Sequence, residues 1–341
     1  MATPISSMPS SDADPVRRWP AFLALLAGVL ALALALVVGR VVWFDSYWLF
    51  RDSPPWLEAT GGSNRLLDRQ TRRAKVLQAL TRRYAVALVG SSTVYHGLDP
   101  RDVAPSLRGR VFNVGISALR AEELPVVASV VASRGGVERV VLGLDYYMFS
   151  RRDAPAGQLS PALLTAAGRW NTRLGSLVSR YALADSTLRR VSGSEDPGGW
   201  TRDGFRITPP LPPALTRQND ATRRRTTAPY RPETLAYLEA ALAAFQGRDV
   251  SIYLAPVSEA QRTIMGELGL LADFAAWQGD IARVAAAHGA RFQNLVDLGA
   301  PYPFDPQTGS TDVWLDNLHY TPVLGRQIME RVGLRRPGET G

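Results

Sequence analysis

The sequence predicts an α/β fold: a three-layer α/β/α domain built on a mostly parallel five-stranded sheet and preceded by one N-terminal transmembrane helix. Short apolar runs alternate with longer helical stretches through most of the chain. This alternation is typical of parallel strands joined by right-handed helical crossovers. A long uncharged run lies near the N-terminus. Polar residues follow several predicted strands, at the sheet edge where open α/β folds carry their sites.

Composition narrows the classes of protein to consider. The net charge is +8, and arginine carries almost all of the positive charge because Lys75 is the only lysine. The arginines are scattered and no nucleic-acid-binding motif is present, so we expect no nucleic-acid partner. The absence of cysteine excludes disulfides and cysteine-ligated metal sites. No residues have the spacing of metal ligands and no glycine-rich loop is placed to hold phosphates, so we expect no metal and no other cofactor.

The N-terminal segment has two parts. Residues 1–18 are polar and rich in Ser, Pro and Asp, which predicts a disordered cytoplasmic tail. Residues 21–39 contain no charge and would span roughly 28 Å as a helix, close to the hydrocarbon thickness of a bilayer. Trp19 and Trp43 lie at the two ends, where amphipathic rings prefer the membrane interface. We therefore expect a signal anchor over residues 19–44.

The charges at the ends of this anchor predict its orientation. Arg17 and Arg18 favour a cytoplasmic N-terminus, although Arg40 lies on the other side. This predicts a single-pass protein of the inner (cytoplasmic) membrane, with membrane lipid as a partner and the remaining chain facing the periplasm or the exterior. A cleaved signal peptide is the alternative, but its apolar region would be unusually long, which favours an uncleaved anchor.

Residues 45–80 are predicted to form a juxtamembrane connector and a basic helix. The stretch 65–83 has a helical pattern and is rich in arginine. One interpretation is that these arginines are attracted to anionic lipid head groups. The other is a solvated basic face on a helix that leads into the first strand.

The main domain is expected over residues 81–335. Helical stretches such as 121–133 and 271–288 separate apolar runs of strand length. The five strand candidates are 84–89, 110–114, 139–144, 250–255 and 291–296. Residues 151–248 are too long for a simple crossover and are predicted as an insertion. This insertion is either a substrate-binding cap over the site or a peripheral elaboration without a role.

Three groups in the chain together suggest nucleophilic catalysis. The first strand candidate ends in Gly90, Ser91 and Ser92, and Asp316 and His319 stand three positions apart near the C-terminus. A serine hydroxyl is a poor nucleophile until a base takes its proton, and that base needs a partner that fixes its tautomer. We expect Ser92 to be the nucleophile, His319 the base and Asp316 the orienting carboxylate.

Only three histidines compete for the role of base. His288 lies in a helical, alanine-rich pattern and is expected to be structural or at the surface. His96 lies four residues past Ser92, in the same loop, and is the serious competitor. His319 is preferred because a carboxylate is built into its own segment.

These motifs resemble those of the SGNH (GDSL-like) hydrolase and acyltransferase superfamily. The first block of that family, Gly-Asp-Ser, corresponds to Gly-Ser-Ser at 90–92, and its last block, Asp-x-x-His, to Asp316 and His319. The same tripeptide variant is familiar from membrane-anchored relatives involved in D-alanylation of teichoic acid and O-acetylation of alginate. The resemblance covers roughly residues 81–335 and implies a flavodoxin-like sheet with Ser92 as the acylated residue.

The resemblance also implies donors for a developing oxyanion. These are the backbone N–H groups of Ser92 and of Gly115, the glycine of the second block. The third block, normally Gly-x-Asn-Asp, begins here with Gly143 and places Asp145 where the asparagine donor would be. An ionised carboxylate would repel an oxyanion. Asp145 would help only if protonated, or it has another task, such as binding a sugar hydroxyl or organising the loop.

Two further residues at strand ends are predicted to contact substrate. Tyr146 follows the third strand and has a ring of the type that stacks on sugars, and Ser258 follows the fourth strand. Each has a structural alternative. In the structural alternative, the ring of Tyr146 is half-buried against other side chains, and Ser258 caps the N-terminus of a helix.

The resemblance implies an enzyme that moves or removes an O-acyl group, with acetyl as the first candidate, on an envelope or secreted polysaccharide. A separate membrane protein is a candidate acyl donor, because a domain outside the cytoplasm has no direct access to acetyl-CoA. One alternative is a catalytically degenerate glycan-binding or assembly protein, which the carboxylate at Asp145 favours. Another is a lipid esterase or thioesterase, which requires an apolar acyl pocket.

Overall fold

The computed structural model describes residues 15–51, 54, 64, 66–150, 159–186 and 198–338. Most of the predicted cytoplasmic tail therefore lies outside the described residues. The described chain begins with α1, Pro15–Phe44. Within the described ranges, α1 is the one helix long and apolar enough to cross a membrane. Within its span Trp19–Phe44, the most apolar window of 18 residues has a mean hydropathy of 2.9, and none of that window is buried against the rest of the protein.

Five strands form one parallel sheet, and two short strands form a separate antiparallel hairpin. The strands are β1 Val86–Val89, β2 Val111–Asn113, β3 Arg139–Leu144, β4 Gly199–Trp200, β5 Arg206–Ile207, β6 Asp249–Leu254 and β7 Arg291–Asn294. The sheet order is β2-β1-β3-β6-β7. Helices cover both faces, so the predicted α/β fold with five strands is confirmed. The hairpin β4–β5 is an addition that the sequence did not predict.

The two faces of the sheet are covered by different helices. Side chains alternate along a strand, so Ala87 and Val89 of β1 belong to one core and Val86 and Leu88 to the other. The first core is closed by α2 Leu67–Thr81, α4 Leu124–Ala132, α8 Leu235–Ala244 and α10 Leu271–Ala287. The second is closed by α3 Ser92–Gly97 and α11 Pro322–Arg331. The helix α9, Glu259–Glu267, follows β6.

The basic helix α2 is part of the core rather than a free surface. Its Val76 and Leu80 are buried in the first core. Lys75 is 1% exposed and donates to the backbone oxygens of Asn113 and Gly204. Burial lowers the pKa of Lys75 well below its usual value. The helix thus joins the sheet to the insertion, which neither interpretation of the basic pattern anticipated.

The insertion between β3 and β6 contains ordered elements of its own. Its helices are α5 Ala166–Leu177, α6 Arg180–Asp185, α7 Pro213–Thr226 and α8, which closes the first core, and it also carries the hairpin β4–β5. The apolar stretch 174–183 is divided between two helices, since α5 ends at Leu177 and Ser179 has an extended conformation. Parts of the insertion, residues 151–158 and 187–197, lie outside the described residues.

The end of α1 is fixed to the domain by a tight turn. Asp45 has a positive φ of 42° and its carboxylate accepts the backbone N–H groups of the next turn, from Leu49 to Arg51. The Tyr47 hydroxyl donates to Asp185 Oδ2 at 2.6 Å, and the amide of Gln78 donates to the backbone oxygen of Tyr47. Within the described residues, the C-terminal end of α1 is therefore held firmly against the rest of the domain.

Candidate active site

Ser92 is the first residue of α3, and only Gly90 and Ser91 separate it from the end of β1 at Val89. Before the turn, Gly90 packs closely against the neighbouring strand β3. A Cβ at this position would come within 2.6 Å of the Gly143 backbone oxygen, so a larger residue would force the two strands apart. Ser91 caps α3, and its side chain accepts the N–H of Thr93 at 3.2 Å. This geometry places the Ser92 hydroxyl at the carboxyl edge of the sheet.

The loop before α11 carries the other two groups of the predicted triad. The Oδ1 of Asp316 accepts the backbone N–H groups of Leu318 and His319, at 2.8 and 2.9 Å, which shapes the loop as an Asx-type turn. The same carboxylate lies 2.9 Å from His319 Nδ1, and His319 Nε2 lies 2.7 Å from Ser92 Oγ. The structure therefore brings Ser92, His319 and Asp316 together in one hydrogen-bonded chain.

The protonation of this chain follows from its partners. Burial alone would raise the pKa of Asp316, but the His319 ring and its hydrogen bonds, together with the charge of Arg223, hold that pKa well below its usual value. An ionised carboxylate can only accept, so Nδ1 of His319 carries the proton. In the neutral ring Nε2 is then free to accept the hydroxyl proton of Ser92, as a general base must.

His96 occupies a different place. Its ring meets the ring of His319 edge-on, with centroids 4.9 Å apart, and its Nδ1 lies 2.7 Å from Thr208 Oγ1. Burial and the charge of His319 lower the pKa of His96 well below its usual value. His96 makes no hydrogen bond to Ser92 in the described structure, so the geometry favours His319 as the base, as the sequence predicts.

The two predicted oxyanion donors differ in their surroundings. The backbone N–H of Ser92 has no hydrogen-bond partner among the described residues. The backbone N–H of Gly115 already donates to Asn113 Oδ1 at 2.9 Å. The position tolerates only glycine, since a Cβ would lie 3.0 Å from the Ser91 oxygen and from Tyr95. Gly115 is thus placed at the site, but its donor is engaged in its own turn.

Asp145 holds the nucleophile loop rather than standing free for a substrate. Its Oδ2 accepts the hydroxyls of Ser91 and, at 3.0 Å, of Thr93. Its Oδ1 has no partner among the described residues. Burial raises the pKa of Asp145 to about 6, against the lowering effect of the two hydroxyls. The prediction that this residue organises the loop fits these contacts, and one oxygen remains unsatisfied.

The other two predicted substrate contacts are structural in this fold. Ser258 is fully buried, and its hydroxyl accepts the N–H of Gln261 and donates to the backbone oxygen of Asn317 at 2.6 Å. Both hydrogen-bonding roles of the Ser258 hydroxyl are used within the protein, which favours the helix-cap alternative. The ring of Tyr146 packs against Phe274 and Trp277, with its hydroxyl on a backbone oxygen. These contacts favour the packing alternative for Tyr146.

The insertion supplies residues to the site that the sequence did not reveal. Asn219 of α7 donates to Asp316 Oδ2 at 2.8 Å. Thr208, just after β5, holds His96. Trp200 of β4 lies 4.7 Å from the ring of Tyr95, four residues into the nucleophile segment. No local sequence pattern marks these residues, because their contacts with the site depend on how the insertion packs against the rest of the domain.

A small cavity opens beside the triad, lined by both apolar and polar side chains. Four of its lining groups have buried polar atoms without a partner in the described structure. They are Asp145 Oδ1, the Tyr147 hydroxyl, Ser150 Oγ and Gln261 Oε1. Arg223 also lines the cavity, and its guanidinium makes no hydrogen bond or ion pair with another described residue. The volume is about 30 Å³, room for about two water molecules.

Comparisons with known proteins give only distant likenesses. No family model and no curated protein matches the chain. One similar solved structure is provisionally described as a platelet activating factor from Streptococcus pneumonia, with 12% identity, a TM-score of 0.38 and coverage of 78% of this chain and 94% of that one. Another is an inhibitor-bound M. smegmatis aryl esterase, with 11% identity, a TM-score of 0.35 and coverage of 74% and 99%. Likenesses at this level carry no functional inference.

Proposed function

We propose that the protein is a serine-dependent esterase or O-acyltransferase, held in a membrane by α1, with Ser92 as its nucleophile. One observation carries the proposal. The hydroxyl of Ser92 lies 2.7 Å from Nε2 of His319, while Asp316 occupies the other ring nitrogen. A buried serine, a correctly tautomerised imidazole and an ionised carboxylate are the parts that acyl transfer requires.

The geometry supports a reaction in two halves. His319 takes the proton of Ser92 as Oγ attacks the acyl carbonyl carbon, and Asp316 stabilises the imidazolium that forms. His319 then gives that proton to the departing alcohol oxygen, which leaves the acyl group on Ser92. In the second half a water or a hydroxyl attacks the ester, with His319 again as base, and Ser92 recovers its proton. The free N–H of Ser92 is the first donor available to the oxyanion.

The cavity beside the triad supports a small acyl group and a polar acceptor. Its volume is far below that of a long acyl chain, and its unpartnered oxygens require hydrogen-bonding groups. A lipid esterase or thioesterase would need a much longer acyl pocket than this cavity offers. We therefore extend the proposal to short O-acyl groups, acetyl first, on a polysaccharide outside the cytoplasm. A separate membrane protein is the proposed acyl donor in the transfer reaction.

The proposal is tested with the full-length protein in detergent, because the end of α1 packs into the domain. Release of acetate from p-nitrophenyl acetate is measured for the wild type, Ser92→Ala and His319→Ala. Both variants are expected to lose activity by about 100-fold or more. The exposed Ser106 and His288 give matched controls, since Ser106→Ala and His288→Ala should keep wild-type rates. A fluorophosphonate should label wild type and fail to label Ser92→Ala.

A second candidate is a glycan-binding or assembly protein that has lost turnover. Two observations favour it: the N–H of Gly115 is engaged by Asn113, and a carboxylate stands at Asp145. If wild type and all variants are equally inert and Ser92 forms no adduct, this candidate replaces the enzyme. Binding of O-acetylated and deacetylated polysaccharide to the inert protein would then be the measurement to make.

A further inference from the structure

The insertion exposes an apolar surface on α5 and α6. Four large side chains on their outer side are 44 to 58% exposed. We call them the outer stripe: Trp170, Leu174, Val178 and Tyr181. The first three are spaced four residues apart, which puts them on one side of a helix. A soluble protein would normally turn such a side toward its core.

The arginines of the same helix face the protein instead. Arg169 donates to Ser129 Oγ at 3.1 Å and to two backbone oxygens of the turn before α5. Arg173 donates to the backbone oxygen of Leu80 at 2.7 Å. The helix therefore directs its charges inward and its apolar residues outward, the reverse of a water-exposed surface helix. This arrangement requires an apolar cover on the outside.

The outer stripe lies next to the end of the anchor helix. Both α5 and α6 contact α1. Arg40 of α1 donates to the backbone oxygen of Ser186 at 2.6 Å, and Ala182 of α6 packs in one cluster with Val41 of α1. The apolar stripe thus continues the exposed apolar surface of α1 at the level where that helix enters the domain.

We propose that the outer stripe lies in the interfacial layer of the membrane that α1 crosses. This rests on the proposal that α1 is a membrane anchor. The stripe has the composition of an in-plane interfacial helix, with Trp170 and Tyr181 as residues that prefer the head-group boundary. Arg180 donates to the Tyr181 hydroxyl at 2.8 Å and places a cation beside the stripe, suited to anionic lipid. Lipid is the occupant, rather than a second protein, because both helices that carry the stripe pack against α1, whose apolar span is exposed on all sides.

Attachment to the membrane through both α1 and the outer stripe has a consequence that attachment through α1 alone does not. A domain held by a single helix can still tilt and rotate about that helix, whereas a second contact beside it fixes the orientation of the domain. The nucleophile segment is joined to this attachment, since Tyr95 belongs to the same cluster as Val41 and Ala182. The membrane thereby orients the mouth of the site toward a fixed direction.

The absence of cysteine makes the test direct, because one introduced cysteine is a unique labelling site. Leu174→Cys marks the stripe, Leu30→Cys marks α1, and Leu268→Cys is a control with similar exposure beyond α9. Each full-length variant is labelled with an environment-sensitive dye and placed in vesicles of phosphatidylcholine with a minor share of phosphatidylglycerol. Quenching is measured with aqueous iodide and with lipids that carry a nitroxide near the head group or deep in the chain.

The expected result has three parts. The label at Leu174 is quenched by the shallow nitroxide and is severalfold less sensitive to iodide than the label at Leu268. The label at Leu30 is quenched by the deep nitroxide. If Leu174 is as open to iodide as Leu268 while Leu30 lies in lipid, the stripe is in water and the inference is overturned although the anchor stands.

Two other results would also overturn it and are distinguishable. A label at Leu174 that is shielded from iodide and from both nitroxides indicates a protein cover, either a second copy of the chain or a partner. A label at Leu30 that no nitroxide quenches removes the anchor itself, and the inference fails together with that part of the proposed function.

Discussion

Replacement of Asp145 by asparagine should change how the stability of the protein depends on pH. Burial raises the pKa of this carboxyl from 3.8 to about 6 in the folded protein. The folded state therefore holds the proton more tightly than the unfolded state does. Stability must fall as the pH rises from about 4 to about 6, and it becomes constant above that range.

The magnitude follows from the difference in pKa. A difference of about two pKa units corresponds to about 3 kcal/mol in the free energy of unfolding. Asp145→Asn keeps an oxygen for Ser91 and Thr93 but cannot ionise. Relative to the wild type, the variant should therefore gain up to about 3 kcal/mol in the free energy of unfolding between pH 4 and pH 7.

The assay is urea unfolding of the full-length protein in detergent at a series of pH values. The difference in free energy between Asp145→Asn and wild type isolates this carboxyl, because Asp45 and Asp316 titrate equally in both proteins. Asp297→Asn is the control, since this carboxylate is 77% exposed and its replacement should leave the difference flat. A difference that stays constant from pH 4 to pH 7 for Asp145→Asn would refute the reasoning.

Three further outcomes are expected. Asn219→Ala removes a 2.8 Å hydrogen bond to Asp316, so kcat for p-nitrophenyl acetate should fall about tenfold with little change in KM. Asn219→Asp also lacks the amide donor but adds a charge. An equal loss of activity in both variants would identify the lost amide donor as the cause. Gly115→Ala brings a Cβ within 3.0 Å of the backbone before the nucleophile, so activity should be lost while circular dichroism is retained, and full activity would contradict the tight packing. Tyr47→Phe removes the buried bond to Asp185, which should lower the free energy of unfolding by about 1 to 3 kcal/mol in urea titrations, and no change would show that the anchor is not fixed there.

Much of the fold could be predicted from the sequence because its signals are local. Three of the five core strands, β1, β2 and β3, are largely buried apolar runs, and the observed ends of all five lie within two residues of those predicted. The strand β7, Arg291–Asn294, lies largely at the surface, with three exposed residues and Phe292 partly buried. The N-terminal helix follows from an uncharged stretch of 19 residues. The hairpin β4–β5 was missed because strands of two residues are too short to show an alternation of apolar and polar residues.

The triad could be predicted for a chemical reason. Ser92, Asp316 and His319 are the residue types that acyl transfer requires. Ser92 follows the end of β1, and Asp316 and His319 share one short segment before α11. The role of Ser258 could not be decided in this way, since a serine after a strand has the same pattern whether it meets a substrate or caps a helix. Only its burial and its bond to Asn317 separate the two.

By itself the sequence determined the elements, their order and the identity of the residues suited to chemistry, because periodicity and residue type are written along the chain. The tertiary structure decided which of them meet. It placed Asn219 on Asp316, directed Asp145 to the nucleophile loop, engaged the N–H of Gly115 and turned Leu174 outward beside the anchor. These contacts join segments far apart in the chain, and their geometry is set by how helices and the insertion pack on the sheet rather than by any local pattern.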